Sequence, residues 1–257
     1  MRIMRAGHPG YEKPAWVGHD ESRRDLCIRI TDIDVAVLAG PWWTELGLVD
    51  RDGLPAMDRA ARPAPCVAQP GAIILTGGRS AGGASLFGLK AGRPVGAQDD
   101  VLLAPPVEIT GRAGLAAVVG GRSGGRPTVG GYCLYFDVAS RAGGRDESAI
   151  ALRSSRPTYL SLGPYLISPE DPMLSQDIAL DVGTEGGVRS RVSRALGKKQ
   201  IASLLTEIDT LLPVEPGYVI LIDALSDGGD SIRFGSNDVI TVNGGIFGDQ
   251  RRRCMVV

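Results

Sequence analysis

The stretch Val129-Gly-Gly-Tyr-Cys-Leu-Tyr-Phe-Asp-Val-Ala-Ser-Arg141 contains an apolar run of strand length, residues 132–138, directly after a pair of glycines. Similar runs are rich in Val, Ile and Leu and are bounded by Gly, Pro, Asp or Asn; they recur at residues 72–75, 101–103, 115–119, 178–182, 218–222 and 239–242. Such runs are typical of buried strands joined by tight turns. We therefore predict a mainly β protein with minor α content.

One segment has a different periodicity. Apolar side chains with the i, i+3, i+4, i+7 spacing of an amphipathic helix occur at Ile201, Leu204, Leu205, Ile208, Leu211 and Leu212. Pro213 and Pro216 follow and should end the helix, because proline cannot continue the helical hydrogen bonding. The pattern predicts one principal helix around residues 195–212.

The segment Arg62-Pro-Ala-Pro-Cys-Val-Ala-Gln-Pro70 is rich in proline and has the composition of a stiff linker. It divides the chain into a small N-terminal domain with its linker, residues 1–65, and a main domain, residues 66–257. We expect the two parts to form separate structural units.

Charge and composition exclude several classes of function as a first hypothesis. The chain of 257 residues has 28 basic and 29 acidic side chains and a formal net charge of -1, so it lacks the excess positive charge typical of nucleic-acid or anionic-membrane binders. No apolar run approaches the roughly 20 residues of a membrane span, and the first residues contain no apolar signal segment. We expect a cytoplasmic protein.

The cysteines and histidines restrict the chemistry further. The four cysteines, at positions 27, 66, 133 and 254, lie far apart without a C-x-x-C pair, which argues against a zinc site or a disulfide framework. Cys133 lies in an apolar run and should be an inert core residue. The two histidines, His8 and His19, both lie near the N-terminus, so a histidine base elsewhere in the fold would have to be one of them.

Several stretches resemble, in order, the fumarylacetoacetate hydrolase family. The central ones are Gly114-Leu-Ala-Ala-Val-Val-Gly120, residues 129–141 and Leu162-Gly-Pro-Tyr-Leu-Ile167; weaker matches lie at residues 1–17, 85–90, 215–220 and 237–242. The resemblance covers nearly the whole chain. It implies a mixed β-roll or sandwich with a small N-terminal domain, and by analogy a homodimer.

The metal ligands of that family are mostly missing. The family holds Mg²⁺ or Mn²⁺ with a Glu-x-Glu pair and an aspartate, and at the matching positions this chain has Arg112, Gly114 and Asp137. Its histidine base lies in a segment that here reads Gly77-Gly-Arg-Ser-Ala-Gly-Gly83, without histidine. We therefore expect no catalytic divalent metal and no other cofactor.

The resemblance also implies which residues form the site. Candidate catalytic residues are Asp137, Arg112, Lys90 and Tyr159, and candidate substrate-binding residues are Arg79, Ser80, Arg141 and Asp223. A guanidinium offers positive charge and a rigid set of donors for a carboxylate or an enolate oxygen, so Arg112 could replace the metal. The family register places Arg112 and Asp137 on neighbouring strands, where we expect Asp137 to hold the guanidinium.

Three other motifs have a simpler interpretation. The glycine-rich residues 77–83 could cradle a phosphate, but a flexible turn is favoured because no Gly-Lys-Ser/Thr ending follows. Asp223, Asp227 and Asp230 could bind a cation, but their spacing fits a solvated turn better. Arg251-Arg-Arg253 is interpreted as a solvated tail or an interface anchor.

Three classes of function stay open. The first is a metal-independent enzyme acting on a small anionic substrate, an enolisable 2-oxo acid or β-dicarbonyl compound, by isomerisation, cyclisation, decarboxylation or hydration/dehydration, in a biosynthetic pathway. The second is a Mg²⁺-dependent hydrolase or isomerase of the ordinary family type, with Glu108 and Asp137 as ligands. The third is a non-catalytic binding or scaffold protein in which an ion pair between Arg112 and Asp137 plugs the site.

Overall fold

The computed structural model describes residues 1–79, 85–103, 109–140, 154–224 and 231–257. Seventeen strands are present in these residues: β1 Arg2–Ala6, β2 Lys13–Val17, β3 Arg23–Asp25, β4 Ala56–Met57, β5 Ile73–Arg79, β6 Ser85–Lys90, β7 Val101–Leu103, β8 Ile109–Ser123, β9 Arg126–Ser140, β10 Leu160–Leu162, β11 Tyr165–Ile167, β12 Asp177–Thr184, β13 Gly187–Ala195, β14 Val219–Leu221, β15 Ile232–Phe234, β16 Val239–Asn243 and β17 Asp249–Val256. The helices of the same residues are α1 Val35–Ala39, α2 Trp42–Gly47 and α3 Lys198–Leu211, with short 3-10 turns at Pro172–Ser175 and Gly245–Phe247. The predicted mainly β class is confirmed.

The described strands form two sheets. The larger sheet has twelve of them, in the order β4-β3-β2-β1-β11-β9-β8-β14-β5-β6, with β10 paired to β9 and β15 paired to β8. The smaller sheet has five, in the order β13-β12-β16-β17-β7. The apolar runs expected to be strands lie in β5, β7, β8, β9, β12, β14 and β16.

The long hairpin of β8 and β9 is the centre of the larger sheet. Its turn contains Gly124 and Gly125, both with positive φ, a conformation that glycine adopts without steric cost. Side chains alternate between the two faces of β8: Leu115 and Ala117 join the core between the sheets, whereas Ala116 and Val118 join the core beneath α1 and α2. The hairpin therefore divides the molecule into two apolar layers.

Helix α3 lies where its periodicity predicted it. Ile201, Leu205 and Ile208 on its inner face are buried in the core between the sheets. The helix ends at Leu211, two residues before Pro213. No helix in the described part of the chain is long and apolar enough to cross a membrane.

The N-terminal segment is continuous with the larger sheet. β1 pairs with β11 in an antiparallel register that sets Ile3 opposite Leu166. The segment expected to be a polar linker is instead packed into the fold, because Ala64, Cys66 and Val67 have no exposed surface. The division near residue 65 therefore stays a prediction, and the segment at 62–70 is not a solvated linker.

The cluster at Arg251–Arg253 also departs from the expectation of a solvated tail. It lies in β17, where Arg251 and Arg253 are exposed but Arg252 is completely buried. The Arg252 guanidinium donates to the carbonyl oxygens of Asp99 at 2.8 Å and Thr158 at 2.6 Å. Burial lowers the pKa of Arg252 to about 10. Strand alternation explains the difference, because every second side chain faces the interior.

Candidate functional site

A cavity of about 320 Å³ lies beside the middle of β8. In the described residues, β14 pairs with β8 at residues 116–118 and β15 pairs with it at residues 109–111, so residues 112–115 lie between these two neighbours. The cavity occupies this position and is lined by Thr76, Gly77, Arg112, Ala113, Gly114, Leu115, Tyr135, Ile178, Leu180, Leu196, Gly197, Gln200, Ile201, Leu204, Ile222 and Asp223. Its volume is at the lower end of the range for small-molecule sites.

Arg112 forms part of the cavity wall and is half-buried. Its Nη1 donates to the carbonyl oxygens of Asp223 at 3.1 Å and Ala224 at 2.9 Å, in the segment that leaves β14. These bonds hold the guanidinium against the sheet, so that a positive charge is fixed at the cavity before any ligand arrives. Fixed charges of this kind need little reorganisation to stabilise a developing negative charge.

Gly114 and Tyr135 stand directly opposite each other on β8 and β9. A Cβ atom at position 114 would lie 2.5 Å from the Tyr135 hydroxyl oxygen and 2.6 Å from its ring. The Tyr135 hydroxyl donates to the carbonyl of Ile222 at 3.0 Å, which holds the ring over Gly114. The tyrosine therefore occupies the space that a side chain at position 114 would need.

Asp223 also lines the cavity, as its predicted role in substrate binding requires. It has a φ of +57°, in the left-handed region, and its backbone N–H donates to the Thr76 hydroxyl at 3.1 Å. That hydroxyl in turn donates to the carbonyl of Leu221 at 3.1 Å. Thr76 thus ties β5 to the end of β14 and fixes the backbone of Asp223 at the cavity.

Lys90 and Asp137 form a buried ion pair that does not line the cavity. The Lys90 ammonium donates to the Asp137 carboxylate and, at 3.2 Å, to the carbonyl of Val138. Burial raises the pKa of the Asp137 carboxyl above its ordinary value, and the charges of Lys90 and Arg112 oppose that rise. Asp137 stands directly opposite Arg112, as the resemblance implied, but its ion pair is with Lys90. The expectation that Asp137 would hold Arg112 is therefore corrected.

The remaining predicted site residues are not brought to the cavity by the described structure. Tyr159 is buried in the apolar core just before β10, and its carbonyl accepts a hydrogen bond from the Val138 N–H at 2.8 Å. The Arg79 side chain, Ser80 and Arg141 lie outside the described residues, as do Glu108, Asp227 and Asp230. Their predicted roles stay predictions.

The described residues that the resemblance places at the family's metal positions do not fit a divalent cation. A guanidinium stands at Arg112, Tyr135 fills the space at Gly114, and Lys90 neutralises Asp137. Within the described ranges, no group of three or more His, Cys, Asp or Glu residues could hold a metal ion. Mg²⁺ and Mn²⁺ need several oxygen ligands, which this set of side chains does not supply.

Sequence reasoning missed Tyr135, Thr76 and Gln200 as cavity residues. One signal could have identified Tyr135. The glycine pair at 124–125 predicts a hairpin turn. Counting outward from this turn by equal steps along both strands sets Gly114 opposite Tyr135, a pairing in which the aromatic ring covers the glycine. Thr76 and Gln200 carry no such signal, because only the packing of β5 and α3 brings them together.

Comparison with known proteins shows the fold. No family model matches the chain. Two curated proteins, from Burkholderia multivorans and Burkholderia cenocepacia, carry the name of a hydrolase that is assigned without direct proof. Each is 24% identical to this chain over 243 residues, which cover 86% of this chain and 85% of the relative.

Solved structures match the whole chain at low identity. A fumarylacetoacetate hydrolase from Exiguobacterium antarcticum has a TM-score of 0.78 at 19% identity, covering 100% of both chains. Maleylpyruvate hydrolase from Sphingobium sp. SYK-6, in complex with manganese(II) and pyruvate, has a TM-score of 0.77 at 17% identity and covers 100% of this chain and 99% of its own. The 2-hydroxyhepta-2,4-diene-1,7-dioate isomerase of Mycobacterium marinum has a TM-score of 0.72 at 16% identity, covering 100% and 98%.

Proposed function

Because the chain has the fold of fumarylacetoacetate hydrolase, we propose that it is an enzyme that binds an enolisable 2-oxo acid or β-dicarbonyl compound in the cavity beside β8, without a divalent metal ion. The observation that carries the proposal is the Arg112 guanidinium in the cavity wall. The resemblance puts Arg112 at the position of the family's first metal-ligating glutamate. The binding of pyruvate, a 2-oxo acid, by the structurally similar maleylpyruvate hydrolase supports the choice of substrate class.

The positive charge of Arg112 supplies the electrostatic part of the chemistry. Removing a proton next to a carbonyl group places negative charge on the carbonyl oxygen, and a fixed guanidinium stabilises that charge. The reactions that pass through such an enolate are isomerisation, cyclisation, decarboxylation and hydration or dehydration. A place in a biosynthetic pathway is consistent with this set.

Proton transfer in the cavity is assigned to Asp223. It is the carboxylate-bearing residue among the described residues of the cavity wall, which also include the hydroxyl of Tyr135 but no histidine. Lys90, Asp137 and Tyr159, which the resemblance suggested as catalytic residues, lie away from the described lining. A general base must reach the proton that it removes, so position favours Asp223.

A non-catalytic binding protein is the second candidate. The Lys90–Asp137 pair favours it, because the one retained acidic ligand of the family is neutralised inside the protein. The two candidates differ in enolisation: an enzyme would exchange the hydrogens next to the carbonyl of a bound 2-oxo acid for deuterium, and a binding protein would not.

The test measures pyruvate binding and hydrogen–deuterium exchange of pyruvate with the wild-type protein and with Arg112→Met. Pyruvate binding is measured by calorimetry with and without a chelator, and exchange in D₂O by proton NMR. Loss of a charge-assisted interaction of roughly 1.5–3 kcal/mol predicts about 10- to 150-fold weaker binding for Arg112→Met.

The control is Arg122→Met on the same strand, where the arginine is exposed and pairs with Asp209. It should bind pyruvate like the wild type. Equal binding by Arg112→Met would refute the role of Arg112, a loss of binding in the chelator would refute metal independence, and binding without exchange would favour the second candidate.

A further inference from the structure

Two parts of the structure line the cavity beside Arg112, and they differ in polarity. The larger sheet and the segments that follow it contribute Thr76, Arg112, Tyr135 and Asp223. The smaller sheet and the α3 region contribute mostly aliphatic side chains, namely Ile178, Leu180, Leu196, Ile201 and Leu204, together with the amide of Gln200. Leu115 and Ile222 extend this apolar lining. A ligand that touches both walls must therefore have a polar part and an aliphatic part.

The charges of the described lining residues favour a ligand with one anionic group. Among the described lining residues, Arg112 is the one cation, and Asp223 adds a carboxylate. A second carboxylate on the ligand would lie against the aliphatic wall, where burial of an unpaired charge is costly. The described lining therefore favours a monoanion over a dicarboxylate.

A second, apolar cavity lies further along α3. This cavity of about 330 Å³ is lined by Ile74, Phe87, Gly88, Leu89, Ile208, Leu211 and Leu212. Ile208 lies about one helical turn after Leu204, and Ile74 lies two residues before Thr76 on β5, so the two cavities follow each other along the same helix and strand. Leu89 and Leu211 are largely exposed, at 64% and 70%.

We infer that the substrate is a monoanionic 2-oxo acid or β-dicarbonyl compound with an aliphatic chain, whose anionic end meets Arg112 and whose chain runs along α3 from Ile201 towards Ile208. This inference rests on the proposed function, because it takes the head group from it. The aliphatic chain of the ligand is the new element.

The first test is a series of 2-oxo acids of increasing length on the wild-type protein. Dissociation constants are measured by calorimetry for 2-oxobutanoate, 2-oxohexanoate and 2-oxooctanoate, and for the dicarboxylate 2-oxoadipate. Each buried methylene should tighten binding about fourfold, and 2-oxoadipate should bind more weakly than 2-oxohexanoate, which has the same number of carbons. Binding that does not depend on length, or equal binding of 2-oxoadipate, would overturn the inference and leave the proposed function intact. Failure of every acid to bind would overturn both.

The second test introduces a positive charge among the aliphatic lining residues. Leu204→Arg should weaken the binding of 2-oxooctanoate at least tenfold and improve the binding of 2-oxoadipate. Ser203→Arg, at the neighbouring exposed position outside both cavity linings, is the control and should change neither. If Leu204→Arg does not fold, the chain-length series still decides the inference. Unchanged binding of 2-oxooctanoate by folded Leu204→Arg would contradict it.

Discussion

Replacing Lys90 by methionine tests the buried ion pair between Lys90 and Asp137. Only 3% of the Lys90 side chain and 10% of the Asp137 side chain are exposed, so water cannot take over the role of the ammonium. Removal of one partner from a buried pair costs about 3–5 kcal/mol, because the other charge is left uncompensated. For a chain of this size that loss lowers the melting temperature by about 6–20 °C.

The effect should depend on pH in a defined direction. Burial already raises the pKa of Asp137, and Lys90 is the largest opposing influence, so the variant should raise that pKa further. A carboxyl whose folded-state pKa lies above the unfolded value, about 3.9, does not weaken the fold below that pH. The deficit of Lys90→Met should therefore be small near pH 4 and grow as the pH rises through the folded-state pKa of Asp137.

Urea unfolding followed by tryptophan fluorescence gives the measurement, with Lys13→Met as the matched control. Lys13 pairs with Asp25 at 3.1 Å, but 56% of its side chain is exposed, and surface pairs contribute at most about 1 kcal/mol. The double variant Lys90→Met/Asp137→Leu should recover most of the loss, because it removes both charges. A loss for Lys90→Met no larger than that for Lys13→Met would refute the reasoning.

Two further changes test the cavity wall and a surface pair. Gly114→Ala should lower the free energy of unfolding, measured in urea, by about 1–3 kcal/mol, because its Cβ would collide with the Tyr135 ring. The control Gly47→Ala should be close to neutral, because no atom lies within 4 Å of its Cβ position. Equal effects of the two changes would contradict the packing of Tyr135. Asp209→Asn should lower the melting temperature at neutral pH, because the hydrogen bonds from Arg122 and Val214 lower the pKa of Asp209. That stabilisation is present above the unfolded pKa and disappears as the pH falls through the lowered value, so a difference that persists at lower pH would count against it.

The mainly β class and α3 could be predicted from sequence alone. Hydrophobic periodicity is a local property, so the runs at 132–138 and 201–212 identify a strand and a helix without knowledge of their neighbours. The chemical identity of a side chain is equally local. Arginine is not an oxygen ligand, so Arg112 predicts a site without Mg²⁺, and this stays a prediction.

The partners of the charged residues could not be predicted in this way. The resemblance put Arg112 opposite Asp137, and that register is correct. Yet Asp137 pairs with Lys90, 47 residues away along the chain, and Arg112 binds carbonyl groups more than a hundred residues away. An ion pair depends on separations of a few ångströms between distant segments, which side-chain identity does not specify.

Burial was also decided by the tertiary structure. Three consecutive arginines have the same composition whether they lie in a tail or in a strand, but in β17 the pleat turns Arg252 inward and leaves Arg251 and Arg253 in water. The cavity arises in the same manner, because β14 and β15 pair with different parts of β8 and residues 112–115 are left between them. Periodicity determines which elements form, whereas the contacts between elements determine which side chains meet and where space remains for a ligand.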